Sequence, residues 1–219
     1  MKKLIFALIM LAGGTLYSQT LISSLTSAVY TQSIANDGTR YQVYGQSFKP
    51  SANYILDSAL VKLKKGTGAT GNVNMKIYAH TGTYGTGGTG NGSALASSNT
   101  IDMSTVSESA GTWYKFTFTG SDAITLTSGT TYVIAVTYAG TTPSSVYRNT
   151  TSSSHAGNAS GIVTSTWIST VADMGHYVYG HSASTTSVKS INAVTQATIS
   201  KLAGVTMSGV KKFNGVANQ

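Results

Sequence analysis

The sequence predicts an all-β protein, a jelly-roll-like β-sandwich followed by a short C-terminal hairpin or meander repeat. Three observations carry this. Only 9% of the 219 residues are charged, while 24 are Gly and 13 are Tyr, a balance that suits short strands and polar turns and not helices rich in Glu, Lys, Arg and Leu. Segments with period-two alternation recur along the chain between clusters of Gly, Ser, Asn and Asp. One seven-residue pattern then occurs three times near the end, at a spacing of eleven.

Residues 1–18, MKKLIFALIMLAGGTLYS, pair a Lys-Lys start with an apolar run from Leu4 to Ala12. That run is far shorter than the ~20 residues a membrane-spanning helix needs, so a cleaved export signal is expected and a stable membrane span is not. Cleavage after Ser18 is preferred to the alternative after Gly14. Residues 19–40 read as a polar lead-in.

The strands then follow in order as YQVYGQSF (41–48), SALVKLKK (58–65), NVNMKIYAH (72–80), TWYKFTFTG (112–120), AITLT (123–127), TYVIAVTYA (131–139), SSVYRNT (144–150) and HYVYGH (176–181). In TWYKFTFTG, Tyr114, Phe116 and Phe118 share one face and are expected in the core; Trp113, Lys115, Thr117 and Thr119 share the other. Val61 and Leu63 likewise alternate with Lys62 and Lys64, as on a strand with one solvated face. The sandwich is placed at 41–182 and the repeat at 183–219. One core is the expectation for a chain of this length.

Net charge is +8; setting aside Lys2 and Lys3, 12 basic residues stand against 6 acidic ones. This modest excess lacks the interleaved basic and aromatic residues that stack bases, so no nucleic acid is expected as a partner. The chain has no Cys, which excludes disulfides, thiolate metal sites and cysteine nucleophiles.

Residues 81–93, TGTYGTGGTGNGS, contain Gly85-x-Gly87-x-x-Gly90. A dinucleotide fingerprint would lead from a strand into a helix, and SALASS offers none, so a hairpin loop is expected here and no nucleotide cofactor. The four histidines, His80, His155, His176 and His181, include no i, i+4 pair, and no D-x-D run marks a calcium loop. They read as surface or strand-end residues, with His176 and His181 on opposite strand faces; no metal is expected. Glycoside hydrolysis requires two facing carboxylates. Of the acids, Asp37, Asp57, Asp102 and Asp122 sit at turns or strand ends where Asp bonds its own backbone. No G-x-S-x-G elbow supports a serine hydrolase, and the chain is read as a non-enzyme.

The order of QSFKP, NVNMKIYAH, SALASS, GTWYKFTFTG, LTSGTTYVIAV and DMGHYVYG resembles that of the extracellular jelly-roll modules called choice-of-anchor domains, which have phage tail-associated relatives. The resemblance covers residues 41–181. It implies a non-catalytic sandwich displayed outside the cell or on a virion, and it supplies no catalytic residues. It departs from the family pattern after the module, where the repeat stands in place of a standard anchoring sequence.

Recognition chemistry is read from the aromatic residues. A lectin-like site needs rings to stack on sugar C–H faces, with polar groups for the hydroxyls. Tyr84 in the Gly-rich loop, Tyr147 with Arg148 and Asn149, and Trp167 in the Ser/Thr-rich 150–170 loop meet that description. Any one of these rings taken alone reads as a loop anchor; together they form a candidate patch for a cell-surface glycan or surface protein.

The three copies, VKSINAV (188–194), ISKLAGV (199–205) and VKKFNGV (210–216), align Val188, Ile199 and Val210 at the first position, and Ile191, Leu202 and Phe213 at the fourth. The two residues before the final Val, as in Asn214-Gly215, form the strongest short hairpin signal. Such a unit buries little apolar surface alone and needs something to pack on. An assembly role, with these six residues in a homo-oligomer contact, and a plain hairpin covering a sheet edge both fit. The repeat also resembles endings of phage tail and fibre proteins. The two expectations are therefore an exported, extracellular binding module and a virion protein that assembles through its repeat.

Overall fold

A computed structural model describes residues 18–149 and 155–183, together with short strand pairs at 201–202, 205–206, 212–213 and 216–217. The chain divides into two units, 1–183 and 184–219. In the first, the described strands are β1 (Thr20–Leu25), β2 (Tyr30–Ile34), β3 (Val43–Phe48), β4 (Tyr54–Lys64), β5 (Asn72–Thr81), β6 (Thr89–Asp102), β7 (Thr112–Thr117), β8 (Thr125–Leu126), β9 (Tyr132–Tyr138), β10 (Ser144–Asn149), β11 (Ala159–Val163), β12 (Thr166–Ser169), β13 (Asp173–Met174) and β14 (His176–Ser182).

They form two antiparallel sheets, the all-β sandwich expected. Sheet I runs β1-β14-β4-β10-β13, with β2 added to β10 and β7 and β8 added to β4; sheet II runs β12-β11-β3-β9-β5-β6. The facing sides bury Ala59, Val61, Leu63, Phe116, Val146 and Val178 of sheet I against Tyr44, Phe48, Met75, Ile77, Ile134 and Val136 of sheet II. Alternation along β4 and β7 decides this: Phe116 and Phe118 are buried, Tyr114 packs on the core, and Lys115 and Thr117 are exposed.

Sheet II is covered on its other side as well. Val43, Tyr78, Val133 and Ala135 are buried there, with Ala94, Ile162 and Trp167 packed over them. This accounts for the continuous apolar run VIAV in β9, since a strand with both faces covered has no polar side to show.

The structure corrects several expected boundaries. Residues 19–40 are not a lead-in, because β1 pairs with β14 and β2 with β10. The sandwich therefore begins before residue 41. The 81–93 loop ends at Gly88, just before β6 begins at Thr89, and β6 continues through SALASS as the edge of sheet II. The described part of the 150–170 segment holds a hairpin, β11–β12, with Ile162 opposite Trp167.

In the second unit, β15 (Lys201–Leu202) pairs with β16 (Val205–Thr206), and β17 (Lys212–Phe213) with β18 (Val216–Ala217). Leu202 opposite Val205, and Phe213 opposite Val216, are the two-residue hairpins that the repeat predicts for its second and third copies. The first copy, with Val188 and Ile191, lies outside the described residues, as do Ile199, Val210 and the segment read as an export signal. Among the described residues no helix is long and apolar enough to cross a membrane.

The two faces of β7 give a test. Phe116→Ala is expected to lower the unfolding free energy by roughly 3–5 kcal/mol through the cavity it leaves, and Lys115→Ala by no more than about 0.5 kcal/mol. Urea unfolding measures both, and equal costs would contradict the assigned faces.

Candidate functional site

Residues opposite one another in a ladder share a face, so the pairings define the outward side of sheet I. One row holds Leu21, Tyr179, Ser58 and Thr117, and the next Ser24, Tyr177, Leu60 and Lys115. Lys62 then lies opposite Trp113, and Lys64 opposite Ser145. Trp113 meets Tyr177 edge-on with centroids 4.8 Å apart, and Tyr177 and Tyr179 lie nearly parallel at 6.0 Å. Tyr147 of β10 joins this side through Lys62, whose Nζ stands 4.6 Å from the Tyr147 ring centroid. The Tyr147 hydroxyl accepts the Gly111 N–H at 3.1 Å, and a Cβ at Gly111 would lie 2.3 Å from the ring. The small residue at 111 makes room for the ring.

All four rings are half-buried and Lys115 is exposed. The result is a row of aromatic edges and faces set beside three lysines on sheet I.

Of the residues singled out in the sequence, Tyr147 is on this side. Arg148 follows it and lies opposite Met174, and Asn149 lies opposite Asp173. Trp167 belongs to sheet II, where it meets Tyr78 edge-on at 5.1 Å and rests against Gly90, at which a Cβ would lie 2.3 Å from the indole. Tyr84 lies in the β5–β6 loop, under Lys49 Nζ at 5.0 Å and beside His80. Tyr147 and Trp167 are thus on different sheets, and the candidate residues do not form one patch. Trp113, Tyr177 and Tyr179 are not among the residues singled out in the sequence; the alternation in TWYKFTF, HYVYGH and VKLKK pairs Trp113 with Lys115 and Tyr177 with Tyr179, but only the ladders put them on one side with Lys62.

The acids are occupied elsewhere. Asp37 Oδ1 accepts the Thr39 and Arg40 N–H groups at 2.9 Å, and its other oxygen pairs with Arg40; the Thr39 N–H above all holds the carboxyl below its ordinary range. Asp102 caps the turn at Met103–Thr105 through the Ser104 N–H. Asp122 accepts the Ser97 N–H at 2.7 Å, Glu108 pairs with Lys65 at 3.4 Å, and Asp57 with His181 Nδ1 at 2.7 Å. Asp173 is buried.

Asp173 belongs to a polar node between the sheets. Gln46 of β3 donates from Nε2 to Asp173 Oδ1 at 3.0 Å and to His155 Nδ1 at 3.2 Å, while its Oε1 accepts the Met174 N–H at 2.7 Å. His155 Nδ1 also accepts the Gly157 N–H at 3.0 Å, so the ring proton sits on Nε2 and is donated to Ser23 Oγ at 3.0 Å. His176 Nδ1 faces the Met174 carbonyl at 2.8 Å and must carry the proton, leaving Nε2 to accept from Ser23 Oγ at 2.8 Å. Every hydrogen in the chain His155 → Ser23 → His176 → Met174 C=O is thereby placed. Of the surface or strand-end positions expected for the histidines, His176 takes the second, opening β14, and it is fully buried.

Ser23 and His176 are within the reach of a nucleophile and its base. Burial, reinforced by the neighbouring His155, pushes His176 down to about 3, and Ser23 Oγ already receives the His155 proton. So weak a base does not activate a hydroxyl at neutral pH. Among the described residues no group of three or more His, Cys, Asp or Glu side chains could hold a metal ion.

The fold and site define a two-sheet antiparallel sandwich with an aromatic and cationic outward side on sheet I. No protein family, curated protein or solved structure matches the chain.

The node makes stability depend on pH. Burial lowers His155 and His176 below the ordinary value of 6.5, so below that pH the unfolded chain binds more protons than the native one. Their contribution is complete above about 6.5 and is lost as pH falls below it, for His176 down to about 3, by at most about 1.4 kcal/mol per pH unit for each ring. Urea unfolding at a series of pH values reads this, and equal stability at neutral pH and near pH 4.5 would contradict it.

Proposed function

We propose that the protein is a non-catalytic, extracellular β-sandwich module that binds a surface glycan through the outward side of sheet I. The observation that carries this is the contact series Tyr179–Tyr177–Trp113, whose rings lie 6.0 and 4.8 Å apart, the last contact reaching across β4 from β14 to β7. Pyranose rings present C–H faces that stack on such side chains. The surrounding Ser, Thr and Lys residues supply hydrogen-bonding groups for sugar hydroxyls. The engagement of each carboxylate with its own partner supports a binding role over hydrolysis, which needs two acids facing one substrate. The similarity of motif order to choice-of-anchor modules supports display outside the cell, and the Lys-Lys and apolar start supports export.

The paired strands of the repeat favour a second reading, in which residues 184–219 assemble copies of the chain, as in a virion or tail-fibre protein. Two short hairpins carry too little apolar surface to be stable without packing on something else. Removal of residues 186–219 is expected to change the oligomeric state seen by light scattering; an unchanged state would remove the assembly role.

Trp113→Ala and Tyr177→Ala test the binding reading. Loss of one stacked ring, worth up to ~1.5 kcal/mol, is expected to weaken glycan binding by roughly tenfold, with the melting profile kept cooperative. Glycan arrays followed by calorimetry measure this. Unchanged binding in both variants would sink the assignment of this side, and binding lost through Trp167→Ala instead would move it to sheet II.

A further inference from the structure

We propose that the ligand on the outward side of sheet I is an acidic polysaccharide, its sugar rings stacked on Trp113, Tyr177 and Tyr179 and its anionic groups held by Lys62, Lys64 and Lys115. The inference rests on the binding reading above and narrows its ligand to one chemistry. Charge complementarity carries it. The three lysines stand on the same side as the rings, and none has an ion-pair partner among the described residues.

The sequence holds only 6 acids, and the one on this side, Asp57, stands at the β4 bulge beside Ser58. Asp57, the one acid on β4, is taken by His181, and Glu108 by Lys65. Asp37, Asp102 and Asp122 bond backbone N–H groups in turns or on other strands, and Asp173 is buried between the sheets. The protein therefore leaves this side positive, and the compensating charge must come from outside.

Geometry adds selectivity. Lys62 and Lys115 are diagonal neighbours, because Lys62 lies opposite Trp113 and Lys115 opposite Leu60; such positions are about 7–8 Å apart. Lys62 is further fixed over the Tyr147 ring. An ammonium held on one side by a π face keeps N–H donors for an anion on the other. A carboxylate or sulfate on a sugar stacked at Trp113 falls within reach of both lysines. A neutral glycan would leave all three charges unpaired, and a flexible polyanion without stacking rings would leave the aromatic row unused.

The full chain is titrated by calorimetry with oligogalacturonate, dextran sulfate oligomers, neutral dextran oligomers and a single-stranded DNA oligonucleotide. At about 50 mM salt the carboxylated or the sulfated probe is expected to bind at least about tenfold more tightly than the neutral one. At about 500 mM, where screening is nearly complete, that advantage is expected to disappear. Whichever acidic probe binds assigns the anion as carboxylate or sulfate. Lys62→Gln combined with Lys115→Gln should bring the acidic probe down to the level of the neutral one without changing the melting temperature. Lys76→Gln on sheet II should change nothing. Trp113→Ala should weaken the acidic probe about tenfold, as one stacked ring implies.

Equal affinity for neutral and acidic probes, unaltered by the lysine changes, would overturn the acidic ligand and leave the glycan reading standing. If no saccharide bound at all, both would fall. DNA bound as tightly as the acidic sugars, or acidic binding indifferent to Trp113→Ala, would show a merely cationic surface and overturn the proposal.

Discussion

The register of β4 is the constraint on which the rest of the sandwich depends. This strand is hydrogen-bonded to β14, β7, β8 and β10, and it buries Ala59, Val61 and Leu63 completely. A slip by one residue would drive Lys62 and Lys64 into the core, at a cost that no neighbouring contact offsets. Burial on one side therefore fixes what stands on the other. Trp113 and Lys115 take their outward positions from β7, paired to β4, and Tyr177 and Tyr179 take theirs from β14, paired along the opposite edge. The proposed recognition surface is the unburied half of the same alternation that builds the core.

The second constraint is polar and lies between the sheets. Gln46 of sheet II uses both amide hydrogens and its oxygen on His155, Asp173 and Met174, and Ser23 completes the link from His155 to His176 of sheet I. Each partner is placed so that only one tautomer satisfies it. A fully satisfied buried network of this kind specifies one alignment of its elements, where an apolar contact would accept several. It also explains how β1, an edge strand rich in Ser, is held: its bulge between Leu21 and Ser23 turns Ser23 toward the two imidazoles.

Much of the sandwich was legible because hydrophobic alternation is strong where one face is wet. TWYKFTF, VKLKK and HYVYGH declared both their faces. The elements that escaped are those without that contrast. TLISSL and YTQSI lie toward the margins of sheet I and mix polar and apolar residues without a strict alternation. ASGIV in β11 lies under cover on both sides and uses Ala, Ser and Gly to fit, with a Cβ at Gly161 reaching 2.5 Å from the Val43 carbonyl. TGNGSALASSNTID makes a long edge strand whose first residues, up to Ser93, read as a loop. The candidate rings divided for a related reason. Tyr147 sits on a strand with a solvated face and stayed outward, whereas Trp167 belongs to a hairpin at the edge of sheet II and its ring was drawn over Tyr78 and Gly90. A ring in a polar stretch looks exposed in sequence, and only the fold says whether an apolar surface lies within its reach.

Outward aromatic rows and unpaired lysines acquire meaning together. Either alone is ordinary on a folded surface, but here the same pairing pattern sets both, and the chain's acids are engaged elsewhere. The most direct measurement uses the protein's 2 tryptophans as internal reporters, by following both indole N–H resonances while the full chain is titrated with oligogalacturonate. The account predicts that the Trp113 signal shifts and saturates while the Trp167 signal stays in place. A saturating shift at Trp167 with Trp113 unmoved would contradict it.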